Sequence, residues 1–107
     1  DIALDPFPYG GATTTCEALV MGIPVITLHG HGMVGALSAS ILKTAKLSEY
    51  IAKDEEEYIA KAITQYKQGI RSRTQRNRLK DHILGSSLNK PKRVAEGLER
   101  IYKELLI

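Results

Sequence analysis

The sequence contains no tryptophan, a single cysteine and no apolar run approaching the roughly 18 to 20 residues that a bilayer requires. Because Cys16 has no partner within the chain and no Cys/His spacing resembles a zinc site, we predict neither an internal disulfide nor a metal centre. No basic segment followed by an apolar stretch opens the chain, so we predict no signal peptide and no membrane partner. These absences favour a soluble, cytoplasmic protein.

Positive charge is missing from the first 42 residues, which contain no Lys and no Arg. Residues 43–107 hold all 15 cations of the chain, whose net charge is +3. A hydrophobic content of 43% suffices for one core of modest size. We therefore predict a single domain, residues 1–107, in which residues 1–53 form βα units with a site loop and residues 54–107 are helical. Since the chain begins on Asp1, we also expect it to be a piece of a larger protein.

Strand-like and helix-like patterns alternate along the first half of the chain. Short apolar runs predict buried strands at residues 1–5 and 23–28, and helical spacing predicts helices at residues 13–21 and from Val34 onward. This alternation is typical of an α/β fold with a parallel sheet. Two strands do not complete such a sheet, so we expect either further strands outside the chain or a homo-oligomer that pairs through an exposed sheet edge.

The second half of the chain is predicted to be helical. Asp54, followed by Glu57 three residues later, predicts the start of a third helix, and a basic helix is predicted over residues 70–84. A loop containing Pro91 then leads into a last helix. The apolar positions of the third and last helices are Tyr58, Ile59, Ala62, Ile63 and Tyr66, and Val94, Leu98, Ile101, Tyr102 and Leu105.

The loop over residues 6–15 lies where α/β proteins bind ligands, beyond the carboxyl end of the first strand. Gly10 and Gly11 permit a ligand to approach the backbone closely, and a helix that starts at Thr13 to Thr15 offers unpaired amides to an anion. Because no cation lies in this part of the chain, backbone amides and threonine hydroxyls must do the anchoring. We predict a diphosphate site here, although glycine-rich turns also precede helices in proteins that bind no phosphate.

Glu17 has two interpretations. It falls in the first turn of the predicted helix, where the helix dipole favours a carboxylate whether or not a ligand is present. The same carboxylate could instead accept hydrogen bonds from both hydroxyls of a ribose, as acidic residues do in many nucleotide sites. From the residue type alone, both interpretations stay open.

The histidines and the basic run have plainer explanations than catalysis. His29 and His31 follow a strand but lack a third ligand, so we interpret them as loop residues, and we interpret His82 as a surface residue. The densest basic run consists of Arg71, Arg73, Arg76, Arg78 and Lys80. It lacks the interleaved aromatics of many nucleic-acid-binding proteins, so we predict a solvated face and no nucleic-acid partner.

A long contiguous string resembles a known family. It runs through residues 1–19 and 21–27, with Gly-Gly-Ala-Thr-Thr-Thr-Cys-Glu at residues 10–17, and the likeness continues at residues 39–42, 50–53 and 97–102. These segments resemble the O-GlcNAc transferase and SPINDLY family, glycosyltransferase family 41. The resemblance covers nearly the whole chain. It implies a Rossmann-like parallel sheet, the later half of the second lobe of a GT-B fold, followed by C-terminal helices.

This resemblance also implies inverting transfer of a sugar from a nucleotide-diphosphate donor, a UDP- or GDP-sugar, to Ser or Thr of an acceptor protein, without a required cofactor. It implies that backbone amides of Thr13, Thr14 and Thr15 bind the diphosphate and that Glu17 binds the donor ribose. Together with Gly11 from the loop, these are the predicted donor-binding residues. The catalytic residue, a tetratricopeptide array and the first GT-B lobe are expected outside the chain, so we expect the chain alone to be inactive.

Three positions depart from parts of the family. Ala12 stands where animal O-GlcNAc transferases have a histidine, and Met33 and Ala36 stand where many bacterial relatives have a histidine and an arginine. These departures leave the sugar and the base open. Two other hypotheses also stay open: a nucleotide-sugar-binding module without turnover, and a structural or interaction domain that has lost the ligand.

Overall fold

The computed structural model of the chain describes residues 2–68 and 72–106. The strands are β1 (Ala3–Leu4), β2 (Val25–Leu28) and β3 (Ile51–Ala52), and the helices are α1 (Thr13–Val20), α2 (Gly32–Thr44), α3 (Glu55–Lys67), α4 (Arg73–Leu84) and α5 (Pro91–Leu105). Short 3-10 turns at Ser48–Tyr50 and Ser87–Asn89 precede β3 and α5. Asp1, the predicted helix start at residue 70, and Arg71 lie outside the described residues.

The three strands form a parallel sheet in the order β1–β2–β3. In its register Ala3 lies opposite Val25, and Thr27 lies opposite Ile51. Helices α1 and α2 make the connections, because parallel neighbours need a crossover and not a tight turn. The predicted α/β class, a Rossmann-like parallel sheet followed by C-terminal helices, is therefore confirmed.

Strand β3 is absent from the sequence predictions. It has only two residues, Ile51 and Ala52, which is too short for any alternation of apolar and polar positions to be read. Pairing with the end of β2 defines it, and the His29 amide donates to the Ala52 carbonyl at 2.9 Å just beyond that pairing. The expectation of two strands is therefore wrong, because the described residues form three.

The hydrophobic core lies among the sheet and helices α1, α2 and α4. Its largest apolar members are Leu19, Val25, Ile26, Leu42, Leu47, Tyr50, Leu79 and Ile83, none more than 8% exposed. Leu79 and Ile83 lie four residues apart on α4, so this basic helix buries one narrow stripe against the rest of the domain. Few apolar residues thus suffice to attach α4 to the fold.

The apolar positions of α3 and α5 are largely exposed. Both predicted helices form, and the Asp54 carboxylate caps α3 by accepting a hydrogen bond from the Glu57 amide at 2.8 Å. Ile59 is nevertheless 57% exposed, and exposure also holds for Ile63, Tyr66, Val94, Leu98, Ile101, Tyr102 and Leu105. These faces do not amount to a membrane span: within residues 2–68 and 72–106, none of the helices has the length and apolar character to cross a bilayer.

Gly22 joins α1 to β2 at a point where no side chain fits. Its φ of 78° lies in the left-handed region, and a Cβ there would lie 2.9 Å from the Cα of Arg76 on α4. We predict that Gly22→Ala lowers the free energy of unfolding by about 2 kcal/mol or more, because backbone strain and a backbone clash act together. Chemical denaturation measures the change.

The matched control for this substitution is Gly97→Ala on α5. Apart from the nearby backbone of α5 itself, no atom of the described residues lies within 4 Å of a Cβ placed on Gly97. The alanine should therefore stabilise the helix, by up to about 1 kcal/mol. A Gly22→Ala protein as stable as the wild type would contradict the close approach of α4 to the end of α1.

Candidate functional site

Two loops meet at the carboxyl edge of the sheet. One follows β1 and leads into α1, and the other follows β2 and leads into α2. The start of α2 holds both, since the Gly10 amide donates to the Val34 carbonyl at 3.0 Å and the Gly30 amide donates to the Gly35 carbonyl at 2.8 Å. Parallel α/β sheets present their ligand sites at this edge.

A buried carboxylate ties the first loop to the sheet. Asp5, directly after β1, is only 6% exposed. Its Oδ1 accepts a hydrogen bond from the Gly11 amide at 2.7 Å, and its Oδ2 accepts one from the Thr27 hydroxyl on β2 at 2.8 Å. Among the described residues no Lys or Arg pairs with it. Hydrogen bonds alone therefore compensate this charge for its loss of water.

A buried serine on α2 completes the attachment. The Ser38 hydroxyl donates to the Gly11 carbonyl at 2.7 Å and lies 2.8 Å from the Thr15 hydroxyl. A hydroxyl has one proton to donate, so the Thr15 hydroxyl is the donor in the second contact. Thr15 and Ser38 are 3% and 2% exposed. The Ser38 Oγ atom therefore connects the loop, the first turn of α1 and the middle of α2.

The first turn of α1 keeps free hydrogen-bond donors. Within the part of the chain that the structure describes, the backbone N–H groups of Thr13, Thr14 and Thr15 donate to no acceptor. These are the amides that an α-helix cannot satisfy itself, and they mark the positive end of its dipole. Free amides at a helix start suit an anion. A cavity of about 140 Å³ beside this turn is lined by Asp5, Thr14 and Thr15 and by the apolar residues Ala3, Leu4, Pro6 and Val25.

The five predicted binding residues lie at this loop–helix junction. They differ in which of their groups are free to bind a ligand. Both backbone groups of Gly11 are engaged internally, and so is the Thr15 hydroxyl. The expectation that threonine hydroxyls anchor a ligand is therefore wrong for Thr15, whose amide alone remains free. Thr13 and Thr14 have exposed side chains as well as free amides, and Glu17 is exposed.

The start of α1 changes the interpretation of Glu17. The N-cap residue is Ala12, which makes no side-chain hydrogen bond. A helix that begins at Thr13 places Glu17 in its second turn and not in the first, as predicted. The dipole acts mainly on the first turn, so it has little effect on a carboxylate at this position.

The histidines do not assemble a metal site. No group of three possible metal ligands occurs within the described ranges 2–68 and 72–106. His31 is the N-cap residue of α2, and His29 uses its amide to bind β3. His82, interpreted as a surface residue, is exposed, but its Nε2 lies 2.5 Å from the Ala45 carbonyl oxygen. Since a carbonyl only accepts, that nitrogen carries the proton.

The sequence predictions omit the contacts made by Asp5, Thr27 and Ser38 around the loop. Asp5 carries a usable signal, because an acid stands directly after a buried strand at the edge where ligands bind. Thr27 and Ser38 carry none, because each acts on a residue 22 to 27 positions away in the chain. A hydroxyl inside a strand or a helix looks the same in a sequence whether or not it holds a loop.

Tyr58 supports the loop from α3. Its hydroxyl donates to the Asp5 carbonyl at 2.9 Å, and its ring meets Phe7 edge to face, with centroids 5.3 Å apart at 83°. Burial, and secondarily the nearby Asp5 carboxylate, raise the pKa of Tyr58 above its ordinary value of 10.0. The folded protein therefore favours the neutral phenol.

The fold recurs in a solved protein. A mutant of the O-GlcNAc transferase of Thermobaculum terrenum superposes on 77% of this chain with a TM-score of 0.63 and 41% sequence identity. The match occupies 15% of the solved chain. The architecture described above is thus that of one part of a solved O-GlcNAc transferase.

Sequence comparison gives the family. The profile of Glycosyl transferase family 41 matches residues 1–98. The probable UDP-N-acetylglucosamine–peptide N-acetylglucosaminyltransferase SPINDLY of Arabidopsis thaliana is 35% identical over 98% of the chain, and that of Solanum lycopersicum is 48% identical over 59% of it. This chain belongs to Glycosyl transferase family 41. It spans 12% and 7% of the lengths of these two relatives.

We predict that Tyr58→Phe lowers the free energy of unfolding at pH 7 by about 1 kcal/mol, because it leaves the Asp5 carbonyl without its donor. The raised pKa adds a pH dependence. Stabilisation by the neutral phenol is fully present below the unfolded pKa and is lost as pH rises through the folded pKa. Above about pH 10 the wild type should therefore lose its advantage over Tyr58→Phe. Denaturation at several pH values measures both effects.

The control for this experiment is Tyr66→Phe. Tyr66 lies on the same helix and is 78% exposed, so its substitution should leave the stability at pH 7 unchanged. Equal stability of Tyr58→Phe and the wild type at that pH would contradict the hydrogen bond to Asp5.

Proposed function

We propose that this chain forms the diphosphate- and ribose-binding part of the donor site in a glycosyltransferase that transfers a sugar from a UDP- or GDP-sugar to Ser or Thr of an acceptor protein. The amides of Thr13, Thr14 and Thr15 bind the diphosphate, Gly11 lets the loop approach it, and Glu17 binds the ribose. Membership in Glycosyl transferase family 41 supports this class of reaction. The name of the Arabidopsis relative, which specifies UDP-N-acetylglucosamine and peptide, favours these substrate classes.

The observation that carries the proposal is the set of free amides at the start of α1. Three consecutive N–H groups find no acceptor within the described residues, at the carboxyl edge of a parallel sheet. Side-chain capping would have consumed one of them, but Ala12 has no capping group. A bound diphosphate supplies the acceptors that the chain itself leaves out.

Transfer of the sugar leaves negative charge on the departing nucleoside diphosphate. The first 42 residues contain no cation, so the local stabilisation comes from peptide N–H groups and the helix dipole. Such donors are fixed by the fold before the reaction begins, so they need no reorganisation as the charge develops. The proposal includes no metal or other cofactor, as the resemblance to the family implies.

Glu17 lies at the right spacing for the ribose. It follows Thr13 by four residues, so the two positions share one face of α1, about one turn of roughly 5.4 Å apart. In a nucleoside diphosphate the ribose adjoins the phosphates directly. A carboxylate one turn along the helix from the free amides therefore reaches the ribose hydroxyls while it stays clear of the anion.

The proposal assigns no catalytic residue to this chain. The group that activates the acceptor hydroxyl, and those that select the sugar, belong to other parts of the polypeptide, which in the relatives is much longer. The outer edge of β1 is unpaired within the described residues. We assign that edge to a further strand of the same polypeptide or of a second copy, in a cytoplasmic protein.

We predict that the purified protein binds UDP or GDP at least about tenfold more tightly than it binds the parent nucleoside, because charge-assisted hydrogen bonds to the phosphates are lost without them. Uridine and guanosine retain the ribose and the base, so the difference isolates the diphosphate. Calorimetric titration measures the affinities. No heat with either nucleotide at millimolar concentration, for a folded sample, would contradict the proposal and favour a structural or interaction domain.

Glu17→Ala should weaken nucleotide and nucleoside binding alike, by about 1 to 3 kcal/mol, because the lost acceptor serves the ribose that both ligands contain. Glu99→Ala on α5 changes the net charge by the same amount and should bind like the wild type. An unchanged affinity in Glu17→Ala, with the fold intact, would remove Glu17 from the site.

A further inference from the structure

Gly11 is held from both sides by side chains that belong to other elements. Asp5, at the end of β1, accepts from its amide at 2.7 Å, and Ser38, on α2, donates to its carbonyl at 2.7 Å. No rotation of either peptide bond beside Gly11 is possible without breaking one of these contacts. Neither contact involves the free amides of α1, so the two side chains fix the loop without occupying the anion site.

The loop is also tightly packed, because neither Gly10 nor Gly11 has room for a side chain. A Cβ on Gly10 would lie 2.9 Å from Asp5 Oδ2, and a Cβ on Gly11 would lie 2.5 Å from Thr14 Oγ1 and 3.1 Å from Thr15 Oγ1. Real Cβ atoms do not tolerate the shorter of these approaches. The loop therefore packs directly on the Asp5 carboxylate and on the first turn of α1, and neither glycine leaves room for a side chain.

Ser38 transmits the constraint to α1. Its hydroxyl gives its proton to Gly11 and accepts the proton of Thr15, the third residue of the helix. The position of the first turn relative to the loop thus depends on one buried oxygen. Free amides bind an anion well only when they are aimed at a common point before the ligand arrives.

We propose that Asp5 and Ser38 are positioning residues for the donor site: they do not touch the nucleotide, but they hold Gly11 and Thr15 so that the amides of α1 are preorganised for the diphosphate. This inference rests on the function proposed above. It adds a role for two residues that lie outside the predicted contact set. It also explains why a carboxylate without a Lys or Arg partner among the described residues is buried here, since its charge strengthens the bond to the Gly11 amide.

Four variants test the proposal. Asp5→Ala and Ser38→Ala should each weaken UDP or GDP binding about tenfold or more, because misaligned donors lose much of their effect. Asp5→Asn should stay within about threefold of the wild type, since its amide oxygen still accepts from Gly11 while its NH₂ donates to Thr27. Thr27→Val is the matched control, because it removes the other hydrogen bond of Asp5 and lowers stability without touching the loop.

Affinity is measured by calorimetry, and the free energy of unfolding by denaturation, for every variant. We expect affinity and stability to change separately. Thr27→Val should lower the free energy of unfolding while its affinity stays within about twofold of the wild type, whereas Ser38→Ala should lower the affinity. Wild-type affinity in both folded Asp5→Ala and Ser38→Ala would overturn the proposal. So would an affinity loss in Thr27→Val as large as theirs. If Asp5→Ala does not fold, the nucleotide affinities of Ser38→Ala and Asp5→Asn test the proposal instead.

Amide hydrogen exchange separates this inference from the function on which it rests. Without any nucleotide, Ser38→Ala should speed exchange at the Gly11 and Cys16 amides, which are hydrogen-bonded to Asp5 and Ala12, while Thr27→Val should not do so selectively. If the wild-type protein binds no nucleotide, the proposed function is contradicted. If Ser38→Ala still speeds exchange in that case, the loop constraint stands without it. Unchanged exchange in Ser38→Ala would overturn the constraint itself.

Discussion

The attachment of Gly11 to the buried Asp5 carboxylate is the interaction on which the candidate site depends. Burial of an ionised carboxylate is costly unless its oxygens are satisfied, and here each oxygen accepts one short hydrogen bond, from a loop amide and from a strand hydroxyl. Tyr58 binds the carbonyl of the same residue. One position at the end of β1 therefore connects the loop, the neighbouring strand and α3.

This attachment has a consequence for the helix that follows. The Gly11 amide and carbonyl are satisfied internally, so the loop is held by two side chains and leads into α1 without a capping side chain. The free donors of Thr13 to Thr15 then stand at the edge of the sheet, in a segment of the sequence without Lys or Arg. Peptide dipoles contribute positive potential at this edge, and the fold sets their direction, whereas a lysine side chain can swing away.

The periodic part of the fold follows from local sequence. Leu19 and Leu42 are buried where helical spacing places them, Asp54 caps α3 as its spacing to Glu57 predicts, and the apolar run ending at Leu28 forms β2. The family is likewise readable, because the match runs through nearly the whole chain. Exposure of the α3 and α5 apolar faces was not readable, since amphipathic spacing identifies a face but not what covers it.

The sequence by itself determined the α/β class, the helices, the family and the segment that holds the candidate site, because these depend on composition and spacing within short stretches. The tertiary structure alone decided which groups of that segment remain free. In the structure, Gly11 and the Thr15 hydroxyl are hydrogen-bonded within the chain, and Glu17 lies in the second turn of α1. The two-residue β3 pairs with β2. Each outcome depends on where α1 begins or on contacts between residues distant in sequence, such as the 23 positions between Thr15 and Ser38, and no local pattern encodes those distances.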